Sequence, residues 1–376
     1  MTTRRQFITR ASSLIGLGLV SPLVFGASRY SSWLGGSADG DMLMPDESHP
    51  HTRTFMAFGA QTAIWKDFTP DVQACLGLVA GTIAEYEPVT ILCREEELDL
   101  ARELCGTYNT RFITTELDDI WMRDIGANFV IGSRSELGAV DFNFNGWGDK
   151  QEHDLDARVA RLVGNDAGAE YIRSALTGEG GGIEVDGQGT AILNESCWVN
   201  RNRNPGWSRD QIEDELKSVL GLKKIIWLPG IKGKDITDAH VDFYARFVRP
   251  GVVVANLDND PSSYDYAVTR KHLDILRNAT DASGRRLEIH TLPPPEDLRK
   301  NRFTNGNDAF AAGYINFVVV RGAVIAPQFG DAHADRYCRD LLQSLYPSYR
   351  IVQLNIDPIA AGGGGIHCVT HHQPQV

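Results

Sequence analysis

Apolar positions recur along the chain in a fixed order. Two short runs lie close together, a stretch with helical spacing follows, and another short run closes the unit. The second copy predicts strands at Asn128–Ile131 and Ala139–Phe142, a helix at Leu155–Val163 and a strand at Glu170–Arg173. The third predicts strands at Ile183–Val185 and Thr190–Leu193, then a helix at Ser208–Leu220 with Ser208 as N-cap and Gly221 as stop, and a strand at Lys224–Leu228. The fourth reads Asp242–Val248, Val252–Asn256, a helix over Tyr264–Asn278 and a strand at Leu287–Leu292. The fifth reads Tyr314–Val320, Ala323–Ala326, a helix over Asp335–Leu345 and a strand at Arg350–Leu354. The first copy is irregular: a strand at Thr54–Phe58, a helix at Pro70–Glu85, a strand at Val89–Cys93 and a second, charged helix at Arg94–Leu104.

Five like units, each about 60 residues long, follow one another without a linker. Units that cannot bury their own apolar faces gain by closing into a ring, which also removes sheet edges. An open α/β sheet uses the same elements, but paired strands before each helix speak against a doubly wound βαβ order. No G-x-G-x-x-G follows a strand and no G-x-x-x-x-G-K occurs, so dinucleotide or nucleotide phosphate binding has no support.

The N-terminus reads as an address. Arg4–Arg5 and Phe7 precede an uncharged apolar run from Ala11 to Phe25, the order of a twin-arginine export signal. The run is short for a membrane span. Residues 1–26 are expected to be this signal, 27–48 a poorly ordered Ser/Gly/Asp-rich leader, and 49–376 one catalytic domain. The destination implied is periplasmic or extracellular, reached through the twin-arginine export machinery. Six scattered cysteines without a C-x-x-C pair make no complete disulfide framework once Cys368 is set aside for chemistry.

Lys and Arg total 37 against 49 Asp and Glu, a formal charge of -12. That excludes a basic nucleic-acid face and is compatible with a cationic substrate.

The unusual polar and Gly-rich segments fall between units: Trp121–Gly126, Glu179–Gly182, Asp235–Asp242 and Gly362–Cys368. In a ring of equivalent units, equivalent junctions share one end, so these segments are expected to meet in a central cleft. Cys368, after four glycines, is the candidate nucleophile; its reactive form is the thiolate, which a bound cation would favour. His240 is a proton shuttle, and Asp242, one residue beyond Val241, shares its face if the segment is extended. Asp124 and Glu179 add carboxylates suited to two-point pairing with a planar guanidinium, and crowded acids would have raised pKa values without such a cation. Trp121 is a candidate wall of the cleft. The Asn200–Pro205 run reads as a turn stapled by amides and Arg forks. His371 and His372 near His367 and Cys368 raise a metal site, but adjacent side chains rarely converge and no ligand-spaced pair supports it.

On these blocks the sequence resembles the agmatine deiminase and bacterial-type peptidylarginine deiminase family of guanidino-group-modifying enzymes. The matching motifs are Trp121-Met-Arg-Asp124-x-Gly126, Glu179-Gly-Gly-x-Ile183, Asp186-Gly-x-Gly-Thr190, Asn202-Arg-Asn-Pro205, Thr237-Asp-x-His240-Val-Asp242 and Gly-Gly-Gly-x-His-Cys368, within similarity running from about His49 to the C-terminus. The resemblance implies a five-bladed, pseudo-symmetric α/β propeller (pentein-like) of ββαβ units. It implies hydrolysis of a small guanidino substrate, agmatine, to N-carbamoylputrescine and ammonia without metal or cofactor, through a thiouronium on Cys368. His240 would carry protons, Asp124 and Asp242 would hold the guanidinium, and Glu179 and Trp121 would contact the substrate. Glu184 stands where the family commonly has His and, facing the cleft, would suit agmatine's second amine; Ala127 replaces a common Pro. Peptidyl arginine is the competing substrate, and a non-catalytic guanidinium or polyamine binder is the alternative of another class.

Overall fold

The structure, a computed structural model, describes residues 42–376. The proposed signal at 1–26 and most of the leader lie outside the described residues.

Local sequence rules set the elements. The helix Arg209–Leu220 buries Ile212, Leu216 and Leu220, a spacing of four that makes one apolar stripe. Ser208 and Gln211 form a capping box at its start, and Gly221 at φ 67° ends it in the left-handed region. Val89–Cys93 and Thr190–Asn194 are buried along their whole length, because each lies between two other strands with both faces covered.

Four blades repeat one topology. In the blade Asn128–Ile131, Leu137–Asp141, Glu170–Arg173, the first two strands are antiparallel and the third joins the second in parallel after a helical crossover. The same order holds for Glu184–Val185, Thr190–Asn194, Lys224–Leu228; for Ala245–Arg249, Val252–Asn256, Glu288–Leu292; and for Val318–Val320, Ala323–Gln328, Arg350–Asn355. The remaining blade explains the irregular first unit. Its antiparallel first strand is Thr370–Pro374, from the C-terminus, paired with His51–Phe58 in the register Thr54 with His372. Val89–Cys93 and an additional strand, Thr110–Thr114, continue it in parallel. The first and last strands of the described residues thus meet in one sheet and close the five-bladed α/β propeller.

First strands of neighbouring blades are tied by buried polar bonds. Glu184 accepts from Arg246 Nε at 2.7 Å and from Phe247 N at 2.7 Å, and Arg246 Nη1 donates to Phe317 O at 2.8 Å.

Two expectations need correction. Residues 42–48 are not a loose leader: Leu43 bridges Ile131, Met44 N donates to Leu220 O, and the Glu47 side chain is buried. The segment looked like a solvated tail because the partners of Leu43, Met44 and Glu47 lie far along the chain, up to His367. Asp242 does not start a strand: Val241–Phe243 is a 3-10 turn, and the strand begins at Ala245. The turn points Val241 into the core and leaves His240 and Asp242 buried among polar partners.

Candidate active site

Gly181 marks the centre. A β-carbon there would stand 2.5 Å from His240 Nδ1, 2.8 Å from Asp124 Oδ1 and 3.3 Å from Asp242 Oδ2. Three side chains from two inter-blade junctions therefore converge on the backbone of a third, which only glycine lets approach so closely.

Each is fixed by its own local structure. Asp124 sits in the one-turn helix Met122–Ile125, closed by Asp124 N to Trp121 O at 2.9 Å. Its Oδ1 accepts from Gly181 N at 3.0 Å and its Oδ2 from Trp147 Nε1 at 2.9 Å. His240 follows Asp238 and Ala239, both left-handed at φ 61° and 69°. For an alanine that costs about 1–2 kcal/mol, and the Asp235 carboxylate and Asn194 Nδ2 hold the pair by bonding Ala239 N and O. The His240 ring then spans Asp124 Oδ1 at 3.6 Å and Glu179 Oε2 at 3.1 Å. Glu179 is fixed in turn by Arg203 Nε at 2.8 Å.

Cys368 enters from the glycine loop. Gly364 and Gly365 press on the Trp121 ring and on Asn316 so closely that a β-carbon would lie 2.1 Å and 2.4 Å from them. Trp121 is therefore packed against the Cys368 loop, with Nε1 bonded to Asp119 Oδ2 at 2.9 Å and its ring tilted on Trp65. Arg123 N donates to Cys368 O at 3.0 Å, which joins the Asp124 turn to the cysteine directly. The thiol lies 3.6 Å from Asp242 Oδ2, and Asn316 Nδ2 donates to Sγ at 3.3 Å. Asp242 Oδ2 also meets His367 Nδ1 at 2.8 Å, while its Oδ1 is buried and accepts no hydrogen bond.

The electrostatics are those of an anion-rich, buried site. Burial, with Glu179 and Asp242 nearby, raises Asp124 to about 6 despite the opposing pull of His240. Burial works against protonated His240, yet Asp124, Glu179 and Asp242 together raise its imidazole to about 9, so it is imidazolium at neutral pH. Burial also opposes the Glu179 carboxylate, but Arg203 and His240 hold it down at about 2. Burial, Asp242 and Asp124 push the Cys368 thiol well up.

Asp124, Glu179, His240, Asp242 and Cys368 are thus brought together, with Trp121 behind the cysteine loop. Glu184 is placed elsewhere, its two oxygens occupied by Arg246 and Phe247 N and its carboxyl raised to about 7 by burial. Arg203, read in the sequence as a structural fork, does more: it joins Glu179 to Asp238. His371 bonds Ala127 O and His372 stacks on His51 at 4.1 Å, so the two rings serve separate neighbours. Sequence reasoning missed Asn316, Trp147 and Glu47. Asn316 lay inside the predicted strand Tyr314–Val320, which gave no sign of a polar role; the other two contact the site only through tertiary folding.

The match to the model of Porphyromonas-type peptidyl-arginine deiminases runs over residues 43–374. A Streptomyces coelicolor relative, provisionally named an agmatine deiminase, is 40% identical over 340 residues, covering 88% of this chain and 98% of its own. The agmatine deiminase of Stutzerimonas stutzeri is 36% identical over 350 residues, 88% of this chain and 95% of its own. The solved agmatine deiminase of Enterococcus faecalis superposes with a TM-score of 0.85 at 29% identity, covering 91% of this chain and 98% of that one.

Proposed function

Because the chain belongs to the Porphyromonas-type peptidyl-arginine deiminase family, we propose that it is a guanidino hydrolase that converts agmatine to N-carbamoylputrescine and ammonia. The relatives named above are agmatine deiminases. The observation that carries the reading at the site is the gathering of Asp124, Glu179 and Asp242 around one imidazole, with Asp242 Oδ1 left unpaired in the interior. Such an oxygen costs stability until it meets a donor, and a guanidinium N–H is a donor of matching charge. Burial of Cys368, His240 and both aspartates favours a slim free amine such as agmatine over an arginine carried on a protein surface.

In this mechanism Asp124 and Asp242 hold the guanidinium flat beside the sulfur. Its positive charge weakens the thiol's hold on its proton, which leaves to solvent as the guanidinium enters, and the resulting thiolate attacks the central carbon. As the C–S bond forms and one C–N bond breaks, the His240 imidazolium gives its proton to the departing ammonia. The resulting thiouronium is attacked by water, whose proton returns to neutral His240. The C–S bond then breaks to release the urea and restore the cysteine. Glu179, anchored on Arg203, keeps the His240 ring aligned throughout.

Ammonia release from agmatine, compared with release from an arginyl peptide, tests the substrate. Cys368→Ser should remove turnover while still binding agmatine. Turnover of the peptide alone would replace the substrate; full activity of Cys368→Ser would remove the mechanism.

We also read residues 1–26 as a twin-arginine export signal that delivers the folded enzyme outside the cytoplasm, supported by Arg4–Arg5, Phe7 and the uncharged run to Phe25. A reporter fused behind residues 1–48 should be exported, and lysines at positions 4 and 5 should retain it in the cytoplasm.

A further inference from the structure

Glu47 lies outside the sequence-defined catalytic domain yet sits at a crossing of buried charges. Its Oε2 accepts from Arg246 Nη2 at 2.6 Å, meets His367 Nε2 at 2.8 Å and lies 3.6 Å from Arg123 Nη2; its Oε1 accepts from Val319 N at 2.7 Å. His367 is the next link. Its Nδ1 is 2.8 Å from Asp242 Oδ2, the oxygen beside the Cys368 sulfur.

Both ring nitrogens of His367 therefore face carboxylate oxygens, whereas a neutral imidazole has one N–H. Burial, Arg123 and Arg246 pull the ring toward its neutral form, and the two carboxylates require a second donor. The ring therefore links the Glu47 carboxylate to that of Asp242 through its two nitrogens. The chain also decides which way Asp242 faces: Oδ2 is held, and Oδ1 is left free.

We propose that Glu47, acting through His367, is a positioning residue that locks the Asp242 carboxylate in its guanidinium-binding orientation. The segment 42–48, packed between blades, is on this account a working part of the catalytic centre. The inference rests on the reading of Asp242 as a guanidinium ligand beside nucleophilic Cys368.

The groups facing this chain are Arg123, Arg246 and Glu184 on the Glu47 side, and His240, Asp124 and Cys368 on the Asp242 side. Two measurements separate positioning from mere folding. One is the kcat and KM for the guanidino compound the parent protein hydrolyses. The other is the rate of Cys368 alkylation by neutral iodoacetamide, followed on the Cys368 peptide by mass spectrometry, which needs no guanidinium ligand. Glu47→Gln and His367→Gln should each lower kcat/KM at least tenfold, with KM raised, while alkylation stays within threefold of the parent. The double variant should be no worse than the poorer single one, because both act through one link. Activity within threefold of the parent in folded Glu47→Gln overturns the proposal. So do losses that multiply in the double variant, or alkylation that falls in step with turnover. If Glu47→Gln does not accumulate as folded protein, His367→Gln alone decides by the same two rates. Failure of the functional reading looks different: the parent protein itself would then hydrolyse no guanidino compound.

Discussion

Asn316 grips Cys368 at both ends of the residue: Nδ2 donates to Sγ at 3.3 Å, and Oδ1 accepts from the Cys368 backbone N at 3.3 Å. The amide favours the thiolate, against burial and the two neighbouring aspartates that push the thiol up. Asn316→Ala should therefore lower kcat by about tenfold or more, with little change in KM, since the lost donor serves the sulfur and not the substrate. Iodoacetamide trapping of Cys368 at neutral pH should slow in parallel. An unchanged trapping rate would show the bond to be inert.

Gly181→Ala tests the convergence itself. The new methyl would meet His240 Nδ1 and Asp124 Oδ1 below 3.0 Å, so both side chains must move. The expected result is a folded protein weakened by about 1–3 kcal/mol, with kcat/KM down about a hundredfold. Thermal melts and steady-state kinetics read the two effects separately.

The pH dependence has a defined sign. In the proposed mechanism Asp124 is ionised to hold a cation and His240 is protonated to release ammonia, so kcat/KM should form a bell with limbs near pH 6 and pH 9. His240 also contributes to stability. Its value rises from 6.5 in the unfolded chain to about 9 in the fold. This stabilisation, up to about 3 kcal/mol, is fully present below pH 6.5 and is lost as pH climbs through 9. Chemical denaturation between pH 6 and 9.5 should show the decline in the parent protein and a flatter curve in His240→Gln.

Ring closure gives a further test. Truncation after Val369 removes the strand Thr370–Pro374, which pairs with His51–Phe58 and covers the edge of the first blade. The loss should exceed about 3 kcal/mol, from the ladder bonds together with the buried Thr370 and His371 side chains. A melting temperature within a degree or two of the parent's would mean that the strand is not part of the closure.

The repeat itself was legible because blade strands and helices are local objects. Apolar spacing, the Ser208 cap and the Gly221 stop depend on neighbours a few residues away, and the structure keeps them. The residues that the fold gathers at its centre were legible for a related reason: glycine runs and polar clusters between apolar units stand out in one dimension. What the sequence by itself determined is therefore the unit, its number and the chemical types at the junctions. Only the tertiary structure decided that Thr370–Pro374 completes the first blade, that Glu47 belongs to the centre and that Glu184 pairs with Arg246. Each of these is a contact between residues scores to hundreds of positions apart. A buried carboxylate's role depends on which cation it reaches, and that choice is made when the ring closes.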